Sequence, residues 1–420
     1  MGLMEKFNEA VNKSKVRGAS NEATFDVAYS TGFYSIDMLN GQRIFVNNDE
    51  LGLHFSYISG GLLDGSTNSF IARSGVGKST ISLQIASAII LPFIEAGYDS
   101  NLYIDDIEKS LNQARREFLL GMTQEQIKHH VKIRTDGITT ESVFERISII
   151  ANDKLNNKKD YTYDTGKYDP YGNRIFKLIP TVYLIDSLAM LMPEDVLDKE
   201  DLGTNATGMS TAKVNTMLFK KITQLCTSAN IILININHIL PKPQLGFLPE
   251  QSEVDGLKTD ERMAGARTTV YISNNIFRLD DTTTLKDDKD YGINGKVVKC
   301  TLIKSRTNAT RRSVPLIFDK SIGKYDNELS LLHLLKEEGK LTGIGANVKL
   351  DSCPDVKFSL KNFRSVLKES DELQSAFMKE AFDVLLPYVS NTKVQTAEEN
   401  KAIVKMRNIF NELGSNLPAA

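Results

Sequence analysis

Residues 70–86 read FIARSGVGKSTISLQIA, and the fold follows from what stands on either side of their two glycines. An apolar, strand-like run leads in, and an apolar run of helical length leads out. Between them Ala72–Ser79, ARSGVGKS, fits the phosphate-loop pattern G-x-x-x-x-G-K-[ST], with alanine where the first glycine is commoner. Small residues let consecutive backbone N–H groups turn inward around a phosphate. The helix that begins there adds partial positive charge, Lys78 can reach the β- and γ-oxygens, and the Ser79 hydroxyl can ligate Mg²⁺. Arg73, Ser74, Gly75, Val76, Gly77, Lys78, Ser79 and Thr80 are therefore the candidate nucleotide-binding residues, with ATP and Mg²⁺ as the expected ligands.

Working outward, the chain alternates. The strand at 67–72 and helix at 78–92 are followed by a strand-like SNLYID (100–105), a helix around 109–120, a strand over 129–135 and a helix over 140–155. TVYLID (181–186) and NIILININ (230–237) are continuous apolar runs, as buried parallel strands require. Between them Val214, Met217, Leu218, Ile222, Leu225 and Cys226 share one helical face. Further strands are expected at about 268–279, 296–304 and 313–319. The pattern predicts an α/β fold, a mostly parallel central sheet flanked by helices, with an antiparallel extension. Residues 30–41 read as a turn and a short helix, and 42–58 as irregular. The turn-rich stretches 154–176 and 280–295 read as surface hairpins or loops. The expected division is a lead-in segment over 1–29, a core over 30–325 and a small α-rich domain over 326–420.

Composition narrows the class. In 420 residues, 41% hydrophobic and 25% charged, there is enough apolar material for a globular core. A formal net charge of −2 excludes a uniformly basic nucleic-acid binder, though not one with its basic residues gathered on one surface. No apolar run reaches the length of a membrane span, and the N-terminal MGLMEKFNEAVNKSK lacks the apolar region of a signal peptide. Lys6 also stands where a myristoylation signal wants Ser or Thr. Cys226, Cys300 and Cys353 form no C-x-x-C pair. The expectation is a reducing, cytoplasmic setting and no membrane partner.

A phosphate loop needs a carboxylate at a neighbouring strand end to hold Mg²⁺, and VYLIDSLAML supplies Asp186. Hydrolysis also needs a group to position or deprotonate water. YIDDIEKSL offers Asp105, Asp106 and Glu108; Glu108 is preferred, with the other two left open.

The ordered blocks STGFYSIDMLNG, GGLLDGS, ARSGVGKST, YIDDIE, LIDSLAML, GMSTAKVNTMLFKKI, LININHI and IKSRTNATRRS go beyond a generic phosphate loop. From about residue 28 to 335 the chain resembles the RecA-type recombinases, closest to phage recombinases of the UvsX type. The resemblance implies a RecA-like P-loop ATPase core, an N-terminal polymerisation segment and a helical C-terminal domain. It places the water-activating acid at Glu108 and a γ-phosphate sensor at His238, which relays to a DNA-binding loop. Lys304 and Arg306, taken to alternate along one strand and so to face one side, would reach the ATP of a neighbouring subunit. Arg115 would stack on adenine. Loops at about 193–210 and 241–266 would hold DNA, with Lys213, Lys242, Phe247, Arg262 and Arg267 as candidate contacts.

The implied function is a DNA-dependent ATPase that forms helical filaments on single-stranded DNA. It would pair this strand with homologous double-stranded DNA and exchange strands in recombination, repair and replication. Implied partners are single-strand-binding and mediator proteins, in the host cytoplasm if the chain is phage-encoded. Two other readings stand beside it. One is a hexameric replicative helicase, for which about 30 residues before the core leave little room for a primase-binding domain. The other is a nucleotide-gated scaffold or mediator without productive turnover.

Overall fold

The structure is a computed structural model, which describes residues 25–109, 112–197, 205–242, 256–264, 268–286 and 291–392. A ten-stranded mixed sheet organises it. Its strands are β1 (Thr67–Ala72), β2 (Leu102–Asp106), β3 (Val131–Arg134), β4 (Thr181–Asp186), β5 (Ile231–Pro241), β6 (Glu261–Met263), β7 (Asn275–Leu285), β8 (Gly295–Lys304), β9 (Arg312–Asp319) and β10 (Lys324–Asp326). The order is β10-β9-β8-β7-β1-β5-β4-β2-β3, with β6 on β5. From β7 to β3 every neighbouring pair is parallel, and β8, β9 and β10 extend the sheet antiparallel.

The two-sided apolar runs explain this arrangement. In β1 and β4 every residue is buried. Phe70, Val182, Leu184, Ile232, Ile234 and Ile236 pack with Ile81, Ile85 and Ile89 of helix α1 (Lys78–Glu95) on one face. Tyr183, Ile185, Ile231 and Leu233 pack on the other face, against Val143 and Ile147 of α2 (Thr140–Asn156) and Phe219 and Ile222 of α3 (Asn205–Ala229). Each such aliphatic side chain contributes about 1.5–3 kcal/mol on burial. Leu329 and Leu332 of α4 (Asn327–Glu337), with Phe358, Phe363 and Phe377, continue the first cluster into the C-terminal segment. Among the described residues no helix is long and apolar enough to cross a membrane.

Several local readings change. Residues 42–58, expected to be irregular, form a hairpin of Gln42–Asn48 and Leu53–Ser59, with Ser390–Thr392 parallel to its first strand. It rests on the hairpin Thr162–Tyr168/Arg174–Leu178, where Tyr57 Oη donates to the Tyr168 carbonyl at 2.8 Å. His129 and His130 end a helix (Gln124–His130) whose Thr123–Gln126 capping box fixes its start, so the strand begins only at Val131. Thr268–Ile272 is helical rather than strand, and β7 begins at Asn275. The β7–β8 ladder runs on to Leu285 opposite Gly295, through residues expected to be loop. Beyond residue 337, strands Leu341–Thr342, Val348–Leu350 and Cys353–Phe358 form a small sheet, unexpected in a segment read as helical.

Candidate functional site

Ala72 ends β1 opposite His238 of β5 and Leu279 of β7, and α1 starts at Lys78. The loop 73–77 therefore opens at the C-terminal edge of parallel strands, where open α/β sheets leave a crevice. Gly75 at φ +79° and Gly77 at φ +110° are left-handed, which glycine adopts without strain. At Gly77 an added Cβ would also stand 2.9 Å from Tyr325 Oη. Two donors hold the loop from outside. Tyr325 Oη donates to the Val76 carbonyl and Lys296 Nζ to the Gly75 carbonyl, both at 2.9 Å. Neither was singled out from the sequence, and no local motif marks them.

Lys78 is buried. Its Nζ donates to the carbonyls of Ala72 (3.3 Å) and Arg73 (3.1 Å) and lies 3.4 Å from His238 Nδ1. Burial pulls its pKa below the ordinary lysine value, while the charges of Glu108 and Asp186 oppose that shift. Ser79 Oγ donates to Asp186 Oδ2 at 2.6 Å, so the hydroxyl and the carboxylate named as metal ligands meet. This pair of hard oxygen donors beside a lysine suits Mg²⁺. Thr80 follows, buried in the first turn of α1. The Asp186 carbonyl accepts from the backbone N–H of Ile107 (2.7 Å) and Glu108 (3.2 Å), and the Asp186–Ser187 peptide is cis.

The three competing acids separate. Asp105 is fully buried, held by Arg134 at 3.0 and 2.8 Å, by Arg146 at 2.8 Å and by the Tyr183 hydroxyl. Asp106 pairs with Arg116 at 2.8 Å. Glu108 alone of the three turns to the other site residues. Its Oε1 accepts from the Ser187 hydroxyl and lies 2.8 Å from His238 Nε2. Burial raises its pKa, but the hydrogen bonds from Ser187 and His238, with the charges of His238 and Lys78, outweigh that and hold it below the ordinary glutamate value. His238 thus touches Lys78 through one ring nitrogen and Glu108 through the other. Ser187, missed in the sequence, had one signal: it directly follows Asp186.

The remaining residues are more dispersed. Arg73 is exposed and reaches back to Glu261 of β6 at 3.2 Å; Glu261 in turn pairs with Arg278 at 2.6 Å. Arg115 Nη1 donates to the Ile322 carbonyl at 2.9 Å, and its guanidinium lies against Gly323, in the turn that leads to Tyr325. Lys304 Nζ donates to the carbonyls of Val270 and, at 2.7 Å, Ser273; Arg306 Nη2 reaches the Tyr271 carbonyl at 3.4 Å. β8 ends at Lys304, so Arg306 lies past the strand rather than two positions along it. The expected alternation is corrected, although both side chains reach the same helix, Thr268–Ile272, and its end. Lys304 pairs with Ile276, which pairs with Ser69, so it sits about 10 Å back along the strands from the loop.

Lys242 at the end of β5 bonds through its N–H to the Asp260 carbonyl at 2.7 Å, and Arg262 is exposed on β6. The Lys213 side chain, Phe247 and Arg267 lie outside the described residues, as do 198–204, 243–255 and 265–266 of the two expected loops, whereas 205–210, read as loop, begin α3. No protein-family model matches the chain, and no curated protein matches it.

Proposed function

We propose that the chain is a RecA-like, DNA-dependent ATPase that assembles into helical filaments on single-stranded DNA and carries out homologous pairing and strand exchange. One observation carries the reading. Lys78, the Ser79–Asp186 pair and the Glu108–His238–Ser187 group adjoin one left-handed glycine loop, while Lys304 sits about 10 Å back along the strands and, with Arg306, is turned to the helix Thr268–Ile272 and its end. A cationic pair that its own loop cannot use is what a site completed by a neighbouring copy requires.

In this reading Lys78 exchanges its carbonyl partners for phosphate oxygens. Ser79 and Asp186 would hold Mg²⁺, which when bound neutralises charge on the β- and γ-oxygens. Glu108, ionised at neutral pH, orients water and accepts its proton. His238 releases Lys78 or Glu108 when a γ-phosphate competes for it, and passes the change along β5 to Lys242 and residues 256–264. Lys304 and Arg306 of the adjacent copy stabilise the charge that builds in phosphoryl transfer. Arg115, on the helix Gln113–Leu120 and packed against the turn that leads to Tyr325, borders the side on which a nucleobase would lie.

The test is ATP hydrolysis with and without single-stranded DNA, read beside negative-stain images of the same samples. DNA-stimulated turnover with helical filaments supports the proposal. Six-membered rings would move the reading to a helicase, and nucleotide binding without turnover would move it to a scaffold.

A further inference from the structure

The geometry points to Lys296 as a positioning residue for the phosphate loop, a second lysine that never touches the ligand but fixes which way the loop's N–H groups face. The inference rests on the nucleotide-site reading and deepens it.

Lys296 is the second residue of β8 and is 8% exposed. Its ammonium lies 2.9 and 3.0 Å from the two carboxylate oxygens of Asp281 and 5.4 Å from the Phe318 ring centroid. The carboxylate alone would answer its charge. Its remaining donor is directed to the Gly75 carbonyl at 2.9 Å, across 221 residues of sequence.

That contact has a directional consequence. In a trans peptide the carbonyl of one residue and the N–H of the next point in opposite directions. Holding the Gly75 carbonyl outward on Lys296 therefore turns the Val76 N–H toward the opposite side. Tyr325 Oη acts in the same way one peptide later, holding the Val76 carbonyl and turning the Gly77 N–H. Successive N–H groups facing one side form an anion-binding concavity. The left-handed Gly75 and Gly77 permit that curvature, and the two outer donors select its direction. Without Lys296 the Gly75–Val76 peptide can rotate and offer a carbonyl oxygen to the phosphate, which repels it.

The experiment uses the full chain and its Lys296→Met and Tyr325→Phe variants. Binding of inorganic pyrophosphate and of adenosine is measured by calorimetry, with ATP turnover split into KM and kcat. Thermal unfolding without ligand controls for folding. Lys296→Met is expected to weaken pyrophosphate binding about tenfold or more, leave adenosine binding unchanged, and raise KM more than it lowers kcat. Tyr325→Phe removes one hydroxyl and should give a smaller loss of the same kind, so it carries the test if Lys296→Met fails to fold. Wild-type pyrophosphate affinity in the folded variants would overturn the positioning role alone. A wild-type chain that binds neither pyrophosphate nor ATP would overturn the nucleotide site itself.

Discussion

Substituting Glu108 by Gln, beside Asp105→Asn, separates the base from its neighbours by two independent readouts. Glu108 is a quarter exposed and holds contacts that an amide of the same shape can largely replace, so Glu108→Gln should change stability by within about 1 kcal/mol. It removes the only one of the three acids that adjoins Lys78 and His238. General-base assistance contributes about 10²–10⁴ in rate, so DNA-stimulated turnover should fall about a thousandfold while ATP binding persists. Asp105 is fully buried between Arg134, Arg146 and Tyr183. Neutralising it strands two guanidinium groups and should cost about 3–5 kcal/mol. The assays are steady-state phosphate release with saturating single-stranded DNA and urea unfolding of the free chain. Turnover by Glu108→Gln within a few-fold of wild type would refute the assignment. So would a rate loss in Asp105→Asn as deep as in Glu108→Gln, with the fold intact.

Gly77→Ala forces a side chain onto φ +110° and to 2.9 Å from Tyr325 Oη, so calorimetry should find nucleotide binding lost in a folded chain. Lys304→Ala and Arg306→Ala should each abolish DNA-stimulated turnover while the monomer still binds ATP, as measured by equilibrium binding. Lys154 is buried at the end of α2, donating to the Ile179 carbonyl at 2.6 Å and to Thr181 Oγ1 and the Asn230 carbonyl at 3.2 Å. Burial pulls its pKa down to about 7. Between that value and the ordinary 10.5 the unfolded chain binds more protons, so this group makes stability rise with pH. Urea unfolding should show Lys154→Met losing about 2 kcal/mol of the wild-type gain between pH 7.5 and 9.

What could be read from sequence was whatever is locally complete. TVYLID and NIILININ declared themselves because strands buried on both faces leave no polar alternation to confuse them. The phosphate-loop motif is contiguous, so Lys78, Ser79 and both glycines were found together. Hairpin 42–59 hid because its strands mix polar and apolar residues on two half-covered faces. TTVYI was misread because three of its β-branched residues precede an aromatic, yet Lys304 and Ser273 satisfy a helical turn there. Asp105, Asp106 and Glu108 were indistinguishable until the arginines at 116, 134 and 146 were placed around the first two. Lys296 and Tyr325 lie more than two hundred residues from the loop they hold. Only the antiparallel extension of the sheet brings them to it.

The shared site is tested most directly by mixing two inactive proteins. Lys78→Ala spoils the loop but keeps the basic pair; Lys304→Ala/Arg306→Ala keeps the loop and spoils the pair. If each site is built from two copies, an equal mixture on single-stranded DNA contains junctions with both halves intact. It should then recover about a quarter of wild-type turnover, as random head-to-tail neighbours predict. A mixture that co-assembles on DNA yet hydrolyses no more ATP than either variant alone would contradict the account.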